Sequence, residues 1–317
     1  MTKVFITGIS GFVGSNVAIK LVKEGYSVDG LVRQVSSREL AFLEPVLDKI
    51  HLIKGDITSY HSVNSAIGSS LPQYVLHLGA LTPVRLSFED PFPFVETNFK
   101  GTVNVVHTML EKTPKAQLVL ASTAEVYGWQ EKQKPIKETA PLNPFSPYAV
   151  SKEAADQYVR MAMKIYGLKA TILRPINTYG RRVGGFIVEY LIDSMINGKT
   201  CYVGAPDSVR DYMFVSDQIQ AYKLAIESEE AIGNVFNVSP GNPATNQELT
   251  NMIAEITKFK GQTVFGSYPP GYPLRPTKWD PKYLVLDSTK IRRLLGWKPT
   301  LTLKEGLEKV MDMWKER

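Results

Sequence analysis

The sequence is poor in the residues that mark covalent or metal-held scaffolds: it has one cysteine, Cys201, and four histidines, at 51, 61, 77 and 107, in 317 residues. A single thiol excludes an internal disulfide framework and fits a reducing compartment. The histidines show no metal-ligand spacing, so no metal site is expected. Long apolar runs are also missing, and a glycine turn arrives by residue 8, where a basic-then-apolar leader would otherwise stand. A cytoplasmic protein without a membrane partner is expected. There is no internal repeat or low-complexity segment. With 44% apolar and 21% charged residues, the chain reads as ordinary globular protein, long enough for one large domain or two fused ones. Lys+Arg outnumber Asp+Glu by 37 to 31, a net charge of +6, yet the basic residues are scattered, with no run and no interleaved aromatics. Nucleic acid is therefore not expected as a partner, whereas an anionic small ligand suits such a surface.

What is present is an alternation of short apolar strands with helical stretches. The strands are predicted at Lys3–Thr7, Ser27–Val32, Ile50–Lys54, Tyr74–Leu78, Gln117–Ala121 and Lys169–Leu173. This is the pattern of an α/β fold with a Rossmann-type, doubly wound parallel sheet. Ligands of such sheets gather at the carboxyl ends of the strands, where Gly8, Arg33, Asp56, Gly79, Thr123 and Arg174 fall. After about residue 175 the rhythm loosens into proline- and glycine-rich loops, at 240–243 and 269–273. The expected division is a nucleotide-binding domain over 1–175 and a smaller, mostly C-terminal substrate lobe over 176–317.

The first strand leads into Gly8-Ile9-Ser10-Gly11-Phe12-Val13-Gly14 and then an amphipathic stretch. Glycines at 8, 11 and 14 permit a tight turn, close approach of backbone to a pyrophosphate and tight packing of helix on strand. A dinucleotide cofactor is expected. An acidic residue at the end of the second strand would accept the ribose 2′-hydroxyl of NAD and repel a 2′-phosphate, but Val32 stands there, followed by Arg33, Ser36, Ser37 and Arg38. These favour NADP, with NAD as the alternative, in which Asp29 reaches the ribose; otherwise Asp29 is a polar residue on an edge strand.

Two segments carry chemistry: Ser122-Thr123-Ala124-Glu125-Val126-Tyr127-Gly128, and Tyr148-Ala149-Val150-Ser151-Lys152. Residues four apart share a helix face, so Lys152 is expected to hold its ammonium beside the Tyr148 phenol and favour the phenolate. Thr123, at the end of an apolar strand, can bond the same substrate oxygen. Glu125 adds a carboxylate that alcohol oxidation alone does not need, which implies a second proton transfer, from carbon. Its alternative role is a structural carboxylate bonding a loop amide.

Taken with Gly55-Asp56-Ile57, Leu78-Gly79-Ala80, Asn98-Phe99-Lys100-Gly101-Thr102, Arg174-Pro175-Ile176-Asn177-Thr178-Tyr179-Gly180, Val209-Arg210-Asp211-Tyr212, Leu274-Arg275-Pro276 and Leu295-Gly296-Trp297-Lys298-Pro299, these segments resemble the extended short-chain dehydrogenases/reductases of the nucleotide-sugar epimerase and dehydratase family. The resemblance covers nearly the whole chain. It implies a catalytic set of Thr123, Glu125, Tyr148 and Lys152, and a cofactor site of Gly8, Ser10, Gly11, Phe12, Val13, Gly14, Arg33, Asp56, Ile57, Leu78, Gly79, Ala80 and Asn98 together with Tyr148 and Lys152. Asp56 would touch the adenine, or else cap a turn. The implied substrate is a nucleoside-diphosphate sugar, held by Thr123, Asn177, Arg210 and Arg275, with Arg181 and Arg182 as further cations. The resemblance also implies a chain that crosses between its lobes more than once. It implies a homodimer or dimer of dimers built on helices at Thr97–Lys112 and Tyr148–Tyr166; the stripe Ala154, Tyr158, Met161, Ala162, Ile165 would face the partner or its own sheet.

Three activities remain open. In a 4,6-dehydratase, Tyr148 takes the sugar 4-hydroxyl proton, Glu125 removes the C5 hydrogen made acidic by the ketone, and water leaves from C6. Ala124 stands where glucose-type dehydratases carry an acid, and the text around it looks closer to the GDP-mannose 4,6-dehydratase branch. The alternatives are a 4-epimerase of the UDP-glucose kind or a GDP-4-keto-6-deoxymannose reductase, in which no C5 proton moves, and a cofactor-sensing protein without turnover.

Overall fold

The protein is described here from a computed structural model, over residues 1–34, 36, 40–131, 133–180, 186–272 and 281–315. The large lobe holds β1 (Lys3–Thr7), β2 (Ser27–Val32), β3 (Ile50–Lys54), β4 (Tyr74–His77), β5 (Gln117–Ala121) and β6 (Ala170–Pro175). There follow β7 (Asn177–Tyr179), β8 (Cys201–Val203), β9 (Val209–Arg210), β10 (Tyr212–Phe214), β11 (Val235–Val238), β12 (Ala244–Thr245), β13 (Thr263–Phe265) and β14 (Tyr283–Leu284). The main sheet runs β3-β2-β1-β4-β5-β6-β11, and every neighbouring pair is parallel. The order reverses between β1 and β4, the switch point at which doubly wound sheets bind ligands.

Successive side chains of a strand point to opposite faces, and here each face meets its own core. Val4 and Ile6 of β1, Leu76 of β4 and Val119 of β5 join one apolar cluster with Val17, Ala18 and Leu21 of the helix Phe12–Lys23 and Ala221, Tyr222 and Ala225 of the helix Val215–Glu227. Phe5, Val75, Leu118 and Leu120 join another with the helices Tyr60–Ser70, Gly101–Lys112 and Pro147–Tyr166. Strands covered on both faces explain why these segments read as continuous apolar runs. β6 begins one residue later than the predicted span and ends two later, its last residue Pro175 opposite Val238, where the ladder stops and a missing N–H costs least. β4 stops at His77, one residue short of the predicted Leu78.

A third cluster, with Tyr179, Leu191, Ile192, Leu249, Ile253, Leu307 and Val310, forms the smaller lobe around the helices Ile187–Ile196, Asn246–Thr257 and Leu303–Lys315. The chain does not stay there after residue 175. β11, the helix Val215–Glu227 and the residues Ile291, Leu295 and Trp297 all return to the large lobe.

The helix Pro147–Tyr166 has clear local causes. Ser146 accepts from the Ala149 amide, Pro147 opens the first turn with φ already preset, and Gly167 closes the helix in the left-handed region at φ 69. Tyr148 therefore stands in the first turn, with Lys152 one turn on. The other expected helix, Thr97–Lys112, is in fact a π-helical turn, Val95–Lys100, running into an α-helix at Gly101.

Candidate active site

The glycine turn closes the carboxyl end of β1 against that of β4. Gly8 has φ 71, and a Cβ on it would lie 2.7 Å from the Gly79 amide nitrogen. A Cβ on Gly14 would lie 2.1 Å from the Gly8 carbonyl oxygen, so the helix starting at Phe12 can sit this close to the strand only without a side chain there. Gly11 is exposed, and no side chain caps the helix behind it. A bare helix start on a turn with no room for side chains fits a dinucleotide pyrophosphate.

Phe12 and Val13 of that helix line a cleft of about 190 Å³ with Leu78, Ala80, Thr123, Glu125, Tyr148, Lys152, Ile176, Asn177, Gln218 and Tyr222. The cleft thus brings the glycine turn, all four expected catalytic residues and Asn177 together. Thr123 ends the approach from β5 and accepts from the Glu125 amide at 3.2 Å, opening a short helical turn, Ala124–Tyr127, that sets Glu125 beside it. Ala124, between them, is buried in the core rather than in the cleft. Burial pushes the Tyr148 phenol well above the ordinary tyrosine range; a hydrogen bond with Thr123 acts against this, and the Glu125 charge adds to it.

Lys152 is anchored at the end of β5. Its Nζ donates to the Ala121 carbonyl at 2.6 Å, and burial pushes its pKa down to about 8, with the Asp156 carboxylate opposing the fall. Lys152 thus shares the cleft with Tyr148 while its ammonium is tied to the end of β5.

Two buried networks hold these groups. Asp156, one turn past Lys152 and 0% exposed, accepts from Arg174 Nε and Nη2 at 2.9 and 2.8 Å and from Ser122 Oγ at 2.7 Å. Arg174 Nη1 donates on to Tyr127 Oη at 2.8 Å. Burial alone would lower Arg174, but its bonds and charge pairing with Asp156 raise it. In the second network the Gly79 amide donates to Thr7 Oγ1 at 3.1 Å, which contacts His77 Nδ1 at 2.7 Å; His77 Nε2 meets Thr102 Oγ1 at 3.0 Å, which donates to the Asn98 carbonyl at 2.6 Å. Burial pushes His77 down to about 3, so the imidazole is neutral.

Several of the other expected site residues have partners within the protein. The Asn98 amide turns inward, accepting from the Leu81 amide and donating to the Leu81 carbonyl and Ser151 Oγ, so it braces the loop after β4 against the catalytic helix. Asp56 Oδ1 caps its own turn through the Thr58 amide and hydroxyl, both at 2.9 Å. Asp29 lies inside β2, which is flanked by β1 and β3 and so is not an edge, and it pairs with Lys3 and His51 at 3.7 and 3.8 Å. It is the third residue of the six in β2. Arg33 follows that end and is exposed. Ile57 is buried near Gly79, its carbonyl held by Asn104, and Ser10 is half-buried in the turn. Arg210 lies in β9, between β12 and β14, and is not among the cleft residues. Arg38, Arg181, Arg182 and Arg275 lie outside the described residues. Gln218 and Tyr222 in the cleft wall, and the braces Asp156 and His77, were not singled out from sequence; only their helical or strand position was visible there. Among the described residues, no group of three His, Cys, Asp or Glu could hold a metal, and no helix is long and apolar enough to cross a membrane.

The same fold and length recur in known proteins. UDP-glucose 4-epimerase of Mycolicibacterium smegmatis is 30% identical, with 99% of each chain covered, and dTDP-glucose 4,6-dehydratase of the same organism is 30% identical over 99% of this chain and 93% of that one. Among solved structures, UDP-glucose 4-epimerase with UDP-glucose from Thermotoga maritima is 29% identical with a TM-score of 0.89, and the Thermus thermophilus UDP-glucose 4-epimerase complex with NAD is 28% identical with a TM-score of 0.86; each comparison covers 99% of both chains. The family model described as GDP-mannose 4,6 dehydratase matches residues 5–310, and with the Tyr148 cleft beneath a glycine turn this chain belongs to that family, among the extended short-chain dehydrogenases/reductases that act as nucleotide-sugar dehydratases and epimerases.

Proposed function

We propose that this enzyme is a nucleotide-sugar 4,6-dehydratase. The observation that carries the reading is Glu125, a carboxylate in the wall of the same cleft as Thr123 and Tyr148, near enough for its charge to act on the phenol. A bound oxidised nicotinamide would supply the hydride acceptor and a positive charge that favours the phenolate. Thr123 orients the sugar 4-hydroxyl, and Tyr148 receives its proton. Glu125 then removes the C5 proton, made acidic by the C4 ketone, and passes it to the hydroxyl leaving C6 as water; return to C6 of the hydride taken from C4, with the Tyr148 proton going to C5, would complete the net loss of one water and leave the dinucleotide oxidised. With Ala124 in the core, the acid for that departure is Glu125 itself or a water it orders.

Glu125→Gln is expected to lower formation of the dehydrated product by about a hundredfold to ten-thousandfold. The assay offers GDP-, UDP-, CDP- and dTDP-hexoses and reads product mass; loss of one water identifies both reaction and nucleotide. An unchanged rate in the variant sinks the reading. A 4-epimerase is the second reading, favoured by the likeness in fold and length to UDP-glucose 4-epimerases. It gives a new stereoisomer without change of mass.

For the cofactor, Val32 at the end of β2 and the exposed Arg33 after it support NADP, while NAD is the dinucleotide in the similar Thermus thermophilus structure. Removing a charge-assisted bond from arginine to a 2′-phosphate costs about tenfold to a hundredfold in affinity. Arg33→Ala is thus expected to weaken NADP by that factor and NAD little, as measured by titration; equal losses overturn the assignment. A homodimer is proposed on the helix Pro147–Tyr166. Its sheet-facing residues are Ala149, Ala155, Val159 and Ala162, whereas Ile165 is 63% and Val150 50% exposed.

A further inference from the structure

The helix Val215–Glu227 reaches the cleft with two polar side chains one turn apart, Gln218 and Tyr222. They are 5% and 1% exposed. The Gln218 amide Nε2 donates to Tyr222 Oη at 3.3 Å, while the Gln218 side-chain carbonyl has no hydrogen-bond partner among the described residues. A buried amide oxygen left unpaired costs free energy, and native proteins rarely leave one so without a ligand to complete it. The helix start cannot easily swing the group away. Asp217, the preceding residue, accepts from the Thr300 amide through its side chain and from the Trp297 indole through its carbonyl. Gln218 and Tyr222 line the same cleft as Tyr148 and Thr123, the residues that act on the sugar 4-hydroxyl.

We propose that Gln218 is a substrate-recognition residue whose side-chain carbonyl accepts a hydrogen bond from a hydroxyl of the sugar, with Tyr222 holding the amide in the orientation that presents it. This rests on the reading of the cleft as a nucleotide-sugar site. An acceptor held in a dry wall selects sugars that place a donor there and rejects those that do not, because the carbonyl would otherwise stay unpaired. A carboxamide N–H of the cofactor has the same donor chemistry, and the two sources separate by experiment.

Wild type and Gln218→Met, which keeps the chain length and removes the acceptor, are titrated with UDP-glucose, dTDP-glucose, CDP-glucose and GDP-mannose, each beside its own nucleoside diphosphate, and with NAD and NADP. The expected result is an affinity about tenfold weaker for the nucleotide sugar that wild type binds, with its diphosphate and the dinucleotides unchanged. Equal affinity for the sugar overturns the proposal, as does a loss confined to the dinucleotide, which assigns the donor to the carboxamide, or an equal loss on the diphosphate. Wild type binding none of the four sugars overturns the nucleotide-sugar reading and this proposal with it. If Gln218→Met does not fold, Tyr222→Phe, which removes the phenol that orients the amide, gives a smaller loss with the same pattern; no loss there overturns the proposal.

Discussion

Replacing Tyr148 with phenylalanine is expected to lower kcat by about a hundredfold to ten-thousandfold, the range lost with a positioned acid–base group, while folding and dinucleotide affinity stay as in wild type. The separation is possible because the phenol is not what holds its helix. Ser146 caps that helix, Ser151 Oγ donates to the Tyr148 carbonyl, which phenylalanine keeps, and the ring meets Phe94 edge-on at 6.4 Å, a contact phenylalanine also keeps. What disappears is the hydroxyl hydrogen-bonded to Thr123. Turnover of the nucleotide sugar and thermal unfolding measured on the same preparation decide the point. Activity within about threefold of wild type would remove Tyr148 as the proton acceptor, since even the lower bound for such a group is about a hundredfold.

Asp156→Ala is expected to destabilise the fold by about 3–5 kcal/mol, the usual effect of breaking a buried pair from one side. The loss comes less from the bonds removed than from the charge left behind. Arg174 is 1% exposed, its Nε and Nη2 both point to Asp156, and its remaining bond is to the Tyr127 hydroxyl. Without the carboxylate, a guanidinium stays in the core facing neutral oxygen. Urea unfolding measures the effect, and a change below about 1 kcal/mol contradicts it, because that is no more than an exposed pair contributes. The double variant Asp156→Leu with Arg174→Met is expected to recover most of the loss, since both charges then leave together. Ser122 and Lys152 also lose a neighbour, so activity is expected to fall even where the fold survives.

Much of this could be read without coordinates because the relevant forces are local. Strands covered on both faces are mostly apolar, and β1, β2 and β5 coincide with their predicted spans, as does the edge strand β3. The turn at Gly8 admits only glycine, and the start of the helix Pro147–Tyr166 is written in Ser146 and Pro147, which placed Tyr148 and Lys152 on one face. Less legible were the positions where a side chain chooses among partners from distant segments. Asn98 could meet a cofactor or the loop after β4, and its three bonds go to Leu81 and Ser151. Asp29 could face water or ribose, and the parallel register beside Phe5 and His51 put it within reach of Lys3 and His51 instead.

The order of apolar and polar residues along the chain by itself determined the α/β class, the dinucleotide turn and the presence of Thr123, Glu125, Tyr148 and Lys152 as one set, because periodicity, turn chemistry and spacing along one helix depend on neighbours in sequence. The tertiary structure decided which of these share a cleft, that Ala124 packs in the core while Glu125 lines the wall, that Lys152 bonds the Ala121 carbonyl, and that Gln218 stands 70 positions after Tyr148 in sequence but in the same cleft. Such choices are made by burial and hydrogen-bond competition between segments far apart in the chain, and only the packed arrangement of lobes brings those competitors together.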